Sequence, residues 1–243
     1  MTDSKTTYYN KKKATERDQF FKKFARNDGT TDVMLESARQ ILRPMDAARV
    51  LDLGTGNGFV LQKIIEAAGA SALLTGIDNS EAMLERARSS FEWPASVRLQ
   101  VMDNTKLDFP DNYFDLITAK AVTNISVSEV YRVLKPGGQF LYKEYGSGKG
   151  MVEILASLSP SKPHAGDTLK DEMERAGFSS ITLTKYHLPV ERDRQEVEAL
   201  TETMRILPEG VSRDKVNNLI EDHFKDMQCK VIHSDPFLIS AQK

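Results

Sequence analysis

The stretch "RVLDLGTGNGFVLQKII", residues 49–65, places three glycines in alternate positions between an apolar run and a segment of helical period. Glycine loses more conformational freedom on folding than any other residue, so this spacing indicates a turn that another group approaches closely. The apolar run that ends at Gly54 is typical of a buried strand, and the period after Gly58 is typical of a helix. The stretch therefore predicts a strand, a tight turn and a helix.

The alternation of strand and helix continues to about residue 145. Ser80 and Ser126 are predicted to cap two of the helices, and Glu129 is predicted to complete a capping box with Ser126. Alternating elements of this kind indicate right-handed βαβ units and a parallel sheet with helices on both faces. The further strands are predicted from "ALLTGID", "VRLQVMD", "YFDLITA" and "GGQFLYKEY".

Three carboxylates stand at the ends of predicted strands. Asp52, Asp78 and Asp103 are each about one βα unit apart in the sequence. The carboxyl ends of parallel strands share one edge of a sheet, and open α/β sheets bind their ligands at that edge. The three carboxylates are therefore predicted to lie beside a ligand.

Composition limits the kinds of protein that this chain can be. Its 243 residues are 40% hydrophobic and 28% charged, which is the balance of a soluble globular domain, and the formal net charge is −2. Such a charge gives no overall attraction to nucleic acid or to an anionic membrane. Cys229 is the only cysteine, so a thiolate zinc site is excluded and no metal site is predicted. No apolar stretch is long enough to span a bilayer, and we expect a cytoplasmic protein.

The glycines match neither common phosphate-binding pattern. The nicotinamide fingerprint G-x-G-x-x-G needs a third glycine where Phe59 stands, and a phosphate loop needs Lys and Ser or Thr after Gly58. Asp52 precedes the turn and would repel a pyrophosphate, whereas it would attract a ligand that carries positive charge. S-adenosylmethionine, with its ammonium and sulfonium groups, is such a ligand.

The segment "VLDLGTGNG" resembles the glycine-rich motif of class I S-adenosylmethionine-dependent methyltransferases. "GIDNS", "VMDNTKLDFPDNYFDLI" and "RVLKPGGQF" resemble the later motifs of this family, and they occur in the family's order. The resemblance covers about residues 49–145 and is closest to the small-molecule branch of the quinone-biosynthesis type. Many relatives carry a histidine pair after the fourth strand, where this chain has "TAKAVTNI" with Asn124 near that position.

The resemblance implies a Rossmann-like, doubly wound, mostly parallel seven-stranded sheet with an antiparallel edge strand. One domain, 1–243, would then comprise an N-terminal helical cap at 1–44 and a cofactor-binding core at 45–190. A helical insertion at 191–229 and a closing strand at 230–243 would follow. "SSITLTKYHLPV" and the final segment, which bends at Pro236, are predicted to form an antiparallel pair of strands at the sheet edge.

The resemblance also implies which residues bind S-adenosylmethionine and its product, S-adenosylhomocysteine. Asp78 would accept hydrogen bonds from the ribose hydroxyls, and Asp103 from the adenine amino group. From the residues alone, Asp78 could instead be a helix N-cap and Asp103 could instead form a turn. The complete set of predicted cofactor contacts is Asp52, Gly54, Thr55, Gly56, Gly58, Asp78, Asn79, Asp103, Asn104 and Lys120.

The predicted activity is N- or O-methylation of a small molecule by in-line displacement. The two helices of the insertion could form a roof over the acceptor pocket or could simply pack on the core. Lys143 and Glu144 could belong to the acceptor site or form a solvated charge pair. An RNA or protein methyltransferase and a non-catalytic S-adenosylmethionine-binding protein are the alternatives, and the oligomeric state is left open. The predicted acceptor contacts are Tyr8, Tyr9, Asn124, Glu144, Tyr145 and Met204.

Overall fold

The computed structural model describes residues 15–16, 19, 28–68, 71–122, 124–158, 164–203, 207, 210–225 and 227–243. Its helices are α1 (Thr30–Leu42), α2 (Phe59–Ile65), α3 (Glu81–Ser90), α4 (Val127–Val133), α5 (Val152–Leu155), α6 (Ala165–Ala176), α7 (Arg194–Thr203) and α8 (Arg213–Phe224). Its strands are β1 (Arg49–Leu53), β2 (Leu73–Asp78), β3 (Val97–Val101), β4 (Phe114–Lys120), β5 (Leu134–Tyr145), β6 (Ser179–Lys185), β7 (Leu188–Asp193), β8 (Cys229–Ser234) and β9 (Pro236–Gln242).

A seven-stranded sheet in the order β3-β2-β1-β4-β5-β9-β6 organises the molecule. The pairs β1–β2, β1–β4, β2–β3 and β4–β5 are parallel, whereas β9 is antiparallel to both β5 and β6. The predicted mostly parallel seven-stranded sheet is therefore confirmed. The antiparallel strand β9 is not the edge strand, because it lies between β5 and β6. It begins beside the C-terminal end of β5 and runs back along that strand, and β6 pairs on its outer side.

Both faces of this sheet are covered by helices. Successive residues of a strand point to opposite faces, so Phe140 and Tyr142 join the core under α4 and α6, whereas Leu141 joins the core under α1 and α2. The second predicted N-terminal helix is α1, and most of the first lies outside the described residues. The doubly wound arrangement follows from these two separate cores.

The last third of the chain adds a unit that we call the cap, made of α5, β7, α7, α8 and β8. Here β7 and β8 form a separate two-stranded antiparallel sheet, and the helices bury a third hydrophobic core. The single strand predicted from "SSITLTKYHLPV" is wrong, since it divides into β6 and β7 in different sheets. Residues 191–193 of the predicted helical insertion are strand, and the domain division stays a prediction. The cap core comprises Met151, Ile154, Leu155, Val197, Val216, Ile220, Phe224 and Ile232.

The predicted bend near Pro236 is present and joins the cap to the sheet. Asp235, between β8 and β9, accepts hydrogen bonds from the backbone N–H groups of Gly148 at 2.7 Å and Gly150 at 2.8 Å. Pro236 O accepts one from Tyr186 N at 2.9 Å. The connections from β5 to α5, from β6 to β7 and from β8 to β9 therefore meet at one place, beyond the C-terminal end of β5.

Candidate functional site

The turn after β1 explains the three glycines. Gly54, Gly56 and Gly58 have φ of 59°, 58° and 83°, in the left-handed region that favours glycine. A Cβ added to Gly54 would lie 2.5 Å from Val122 Cγ2, and one added to Gly58 would lie 2.6 Å from Trp93 Cζ2. The group that approaches these two glycines is therefore the chain itself, and we call residues 54–58 the glycine turn.

Asp78 connects the glycine turn to α3. It is the last residue of β2, it is buried, and its Oδ2 accepts a hydrogen bond from Gly56 N at 2.9 Å. Its Oδ1 accepts one from Ser80 N, also at 2.9 Å. The N-cap of α3 is Ser80, whose Oγ accepts from Met83 N, so the alternative interpretation of Asp78 as the N-cap is wrong. Asn79, between them, is exposed.

Asp52 lies fully buried in β1, on the face of the sheet below α1. Its Oδ1 accepts a hydrogen bond from the Thr118 hydroxyl at 2.7 Å, and its Oδ2 has no hydrogen-bond partner among the described residues. Burial raises the pKa of this carboxyl from 3.8 to about 6, against the opposing effects of the nearby Thr55 hydroxyl, the Thr118 hydroxyl and the Lys120 charge. The Thr55 hydroxyl lies close enough to act on this pKa, but it does not meet hydrogen-bond geometry with Oδ2. A positively charged group placed beside Oδ2 would restore the ordinary charged form.

Asp103 and Asn104 follow β3 and differ in their surroundings. Asp103 is exposed, and its Oδ1 accepts hydrogen bonds from the backbone N–H and hydroxyl of Thr105, which lower the pKa of Asp103. This is the turn-forming role named above as the alternative, and a ligand role for Asp103 stays a prediction. Asn104 is buried, and its Oδ1 has no partner among the described residues.

Three buried oxygen atoms without partners thus lie at the C-terminal ends of β1 to β3. They are Asp52 Oδ2, Thr55 Oγ1 and Asn104 Oδ1. Buried polar atoms are paired in the great majority of cases, so a group of unpaired oxygens indicates that something else supplies hydrogen-bond donors. An amino-acid ammonium, ribose hydroxyls and an adenine amino group are donors of this kind, so the residues present fit S-adenosylmethionine.

The ends of β4 and β5 carry a second group of charges. Lys120 is the register partner of Lys143, which is almost fully buried. Lys143 Nζ lies 3.4 Å from Asp28 Oδ2 and 3.9 Å from the centroid of the Tyr145 ring. The Tyr145 hydroxyl lies 3.4 Å from the same oxygen of Asp28. Tyr145 therefore contacts the segment before α1 through Asp28.

Glu144 points to the opposite face from Lys143, so the interpretation of the two as a solvated charge pair is wrong. Its Oε1 accepts a hydrogen bond from Tyr145 N at 2.9 Å, and burial raises the pKa of its carboxyl. Asn124 is exposed on the link between β4 and α4. The predicted acceptor residues Tyr8, Tyr9 and Met204 lie outside the described residues.

Sequence reasoning missed Asp28, Thr118 and Val122. Asp28 accepts hydrogen bonds from the backbone N–H and hydroxyl of Thr30 at the start of α1, a helix-start pattern that "NDGT" does indicate. Thr118 is the register partner of Asp52 on the neighbouring strand. Partners of this kind depend on the strand order, which local patterns do not contain.

Comparison with known proteins identifies the family and the fold. A family model described as a methyltransferase domain matches residues 50–138. The ubiquinone/menaquinone biosynthesis C-methyltransferase UbiE of Desulfotalea psychrophila is 40% identical over 174 residues, which cover 58% of this chain and 70% of that protein. The chain belongs to the S-adenosylmethionine-dependent methyltransferases. The matched region includes the glycine turn, Asp78 and Asn104.

Two further comparisons extend this result. The UbiE protein of Geobacter sulfurreducens is 29% identical over 125 residues, and the match spans 48% of this chain and about half, 49%, of that protein's length. A solved structure of Haemonchus contortus phosphoethanolamine N-methyltransferase 2, with phosphomonomethylethanolamine and S-adenosylhomocysteine, has a TM-score of 0.61 against this fold. It is 21% identical and covers 98% of this chain and 58% of that one, so it supports the fold.

Family membership makes S-adenosylmethionine the cofactor of this chain. The resemblance to the quinone-biosynthesis type is confirmed by the UbiE relatives. Within the described ranges, no helix has both the length and the apolar character needed to cross a membrane.

Proposed function

We propose that this chain transfers the methyl group of S-adenosylmethionine to a small-molecule acceptor at the C-terminal edge of its sheet. The observation that carries the proposal is the set of three buried oxygens, in or just after β1 and β3, that have no hydrogen-bond partner among the described residues. They lie in a methyltransferase fold, at the edge where such sheets bind ligands. S-adenosylmethionine supplies a methyl group on a positively charged sulfur, which is a good leaving group.

The residues at the ends of β1 to β3 would hold the cofactor. Asp78 has both oxygens oriented by backbone N–H groups and would accept hydrogen bonds from the ribose hydroxyls. Asp52 Oδ2 and Thr55 Oγ1 would accept from the ammonium group. The nucleoside would then extend toward Asn104. This assignment uses each unpaired oxygen once and leaves the ends of β4 and β5 for the acceptor.

For the acceptor atom, the curated relatives give the first candidate. The UbiE relatives are named as C-methyltransferases of ubiquinone and menaquinone biosynthesis, so a ring carbon of a quinone-type compound is our first candidate. Nitrogen and oxygen acceptors, predicted from the sequence, are the others. In each case the protein's task is to align the two reactants and to exclude water. The cap, beyond the end of β5, is well placed to do the latter.

Calorimetry followed by transfer of labelled methyl tests the proposal. The chain should bind S-adenosylmethionine and S-adenosylhomocysteine in the micromolar range, at roughly −8 kcal/mol, and NAD far more weakly. With labelled donor, pools of small metabolites that include a reduced demethylated quinone should take up label. Pools of total RNA and of protein, tested separately, should not.

Each other outcome of this experiment contradicts the proposal in a different way. Label in RNA or protein would support the alternative of a macromolecular methyltransferase. Tight cofactor binding without transfer to any pool would support a non-catalytic binding protein. Tight binding of NAD without binding of either sulfur ligand would overturn the cofactor assignment. Asp103→Ala serves as the control variant, because that side chain is exposed and its loss should not abolish cofactor binding.

A further inference from the structure

Glu144 lies beside the half of the sheet that the cofactor residues leave free. It follows Tyr142 on the face below α4 and α6, because alternate residues of a strand share a face. The Tyr142 hydroxyl donates to Val122 O at 2.6 Å, and Val122 packs against Gly54 of the glycine turn. Glu144 is therefore two residues beyond Tyr142, which is linked through Val122 to the glycine turn.

The carboxylate of Glu144 is only partly used by the protein. Its Oε1 accepts one hydrogen bond, from Tyr145 N, and its Oε2 accepts none from the described residues. The side chain is 7% exposed. Oε2 is not among the fully enclosed unpaired atoms of the described residues, so this oxygen keeps access to solvent or to a bound molecule. The hydrogen bond to Oε1 therefore orients the carboxylate, and Oε2 can accept a hydrogen bond or a proton from a bound molecule.

The ionisable groups around Glu144 set its charge. Burial raises the pKa of Glu144, and the charges of Lys149 on the following loop, Lys143 on the same strand and Lys120 on β4 oppose this effect. Tyr142 also faces it, and burial and the Glu144 charge raise the pKa of that phenol. Glu144 therefore takes up a proton more readily than an ordinary glutamate does.

The neighbouring candidates are committed elsewhere or have the wrong chemistry. Lys143 and Tyr145 are engaged with Asp28 below α1, on the opposite face. Asn124 has no group that takes up a proton. Asp52 lies among the cofactor contacts and accepts from Thr118. Of the described groups predicted from the sequence to lie at the acceptor end, Glu144 alone is a carboxylate.

We propose that Glu144 Oε2 accepts the proton that the methyl acceptor loses during transfer. The inference rests on the proposed function and deepens it. The acceptor atom forms a bond to the methyl carbon while the carbon–sulfur bond breaks and its electron pair stays on sulfur. The proton of the acceptor, from a ring hydroxyl, from the N–H of a neutral amine that becomes cationic on methylation, or from the methylated ring carbon, moves to Glu144 Oε2 and is later released to water. The acceptor class is thus one that carries a removable proton on or beside the methylated atom.

Proton release on ligand binding tests the position of Glu144 without any acceptor. S-adenosylmethionine and S-adenosylhomocysteine share their amino-acid and nucleoside parts and differ in the charge on sulfur. If Glu144 faces the transferred methyl group, the sulfonium favours its ionised form. Calorimetry in phosphate and in Tris at about pH 6 should show more proton release with S-adenosylmethionine than with S-adenosylhomocysteine. Glu144→Gln should remove this difference between the ligands.

Asp52→Asn is the matched control for this measurement. Asp52 would face the ammonium group, which both ligands carry. This variant should therefore lower the number of protons released on binding equally for both ligands, and the difference in proton release between them should remain. A difference that persists unchanged in folded Glu144→Gln would overturn the proposal. A loss of cofactor affinity above about ten-fold in Glu144→Gln would also overturn it, because it would show a contact to the cofactor instead.

Turnover supplies the second readout. With the acceptor that takes label in the metabolite screen, Glu144→Gln should lower kcat by about 10²–10⁴ and remove the rise of kcat with pH on the acid side. Glu144→Asp should restore part of both. A kcat within about three-fold of wild type in folded Glu144→Gln would contradict the proposal. If wild type labels no acceptor, the proposed function fails, and the proton-release measurement still decides the position of Glu144.

Discussion

The cofactor end of the sheet and the cap both bury acidic groups, but they satisfy them differently. At the cofactor end, Asp52 keeps one oxygen without a partner. In the cap, fully buried Glu196 pairs with Arg192, and the exposed Glu153 accepts from the backbone N–H of His233 at 2.8 Å and contacts the His233 ring nitrogen at 2.5 Å. The cap thus uses its acidic groups to hold its own elements together, whereas the cofactor end leaves oxygens for a ligand.

Their hydrophobic cores are separate as well. The cap core joins α5, α7, α8 and β8, and the two cores of the sheet lie under other helices. Damage inside the cap should therefore reach the cofactor only through the junction at Asp235. This separation gives four predictions, three of which compare a change in one region with a matched change in the other.

The largest effect is expected from Phe224→Ala, which empties a fully buried position in the cap core. Truncating a buried phenylalanine costs about 3–5 kcal/mol of unfolding free energy. Affinity for S-adenosylmethionine should stay within about three-fold, because the cap does not supply the cofactor contacts. Urea unfolding and calorimetry on the same variant give both quantities.

Leu53→Ala, at the C-terminal end of β1, is the matched change in a sheet core. It should cost about 2–5 kcal/mol of unfolding free energy and also weaken cofactor binding, because Leu53 directly precedes the glycine turn. Equal losses of cofactor affinity in both variants would contradict the separation of the two regions. A changed acceptor KM in Phe224→Ala alone would support the predicted roof over the acceptor, and unchanged acceptor kinetics would leave the insertion helices as core packing.

Asp52→Asn should stabilise the folded chain at neutral pH. The folded-state pKa of about 6 lies above the ordinary 3.8, so the unfolded chain loses this proton first and the stability of wild type falls as pH rises between these values. Above about pH 6 the cost reaches about 3 kcal/mol, which the uncharged asparagine avoids. Melting curves at about pH 4 and about pH 8 should show the gain only at the higher value.

The pH dependence of cofactor affinity and a variant in the cap test the same assignment of Asp52. The ammonium group favours ionised Asp52, so cofactor affinity of wild type should rise with pH through about 6, and Asp52→Asn should flatten that rise. Glu196→Gln in the cap should have the opposite sign and lose stability at neutral pH, because Arg192 would be left buried without its partner. Destabilisation by Asp52→Asn at about pH 8 would contradict the ligand role of its free oxygen.

Asp78→Ala should weaken S-adenosylmethionine binding by about ten- to hundred-fold, through loss of charge-assisted hydrogen bonds worth roughly 1.5–3 kcal/mol. The melting temperature should also fall, because Gly56 N and Ser80 N lose their acceptor. Asp103→Ala should weaken binding less, since that carboxylate is exposed and already holds Thr105. Calorimetry on both variants measures the order, and a larger effect at Asp103 would reverse our assignment of the two acids.

The difference between the two regions also shows what the sequence can predict. From Arg49 to Tyr145, glycines, caps and periodicity predicted the strands and helices, since these signals act between neighbouring residues. Ser126 does accept from Glu129 N, but the Glu129 carboxylate turns to Leu107 N and Arg132 instead of closing the capping box. The choice among such partners depends on tertiary packing.

The errors fall where distant segments pair. The division of β6 from β7 depends on strands that return about 50 residues later as β8 and β9. The mistaken pairing of Lys143 with Glu144 has a simpler cause. Alternation within the predicted strand already places consecutive residues on opposite faces, so this correction was available from the sequence.

The smallest effect compares two serine N-caps whose hydrogen bonds have the same length. Ser80 Oγ accepts from Met83 N at the start of α3, and Ser212 Oγ accepts from Lys215 N at the start of α8, both at 3.3 Å. Ser→Ala at either N-cap should cost about 1 kcal/mol of unfolding free energy, because one backbone N–H at the helix start loses its acceptor.

Only Ser80→Ala should also weaken S-adenosylmethionine binding, by a few-fold. Ser80 N donates to the Asp78 carboxylate, and a less ordered start of α3 would hold that carboxylate less firmly in position. Ser212→Ala should leave cofactor affinity unchanged, because α8 packs on the cap core. Equal effects of the two variants on cofactor affinity, measured by calorimetry at matched stability loss, would show that the cap and the cofactor end respond as one unit.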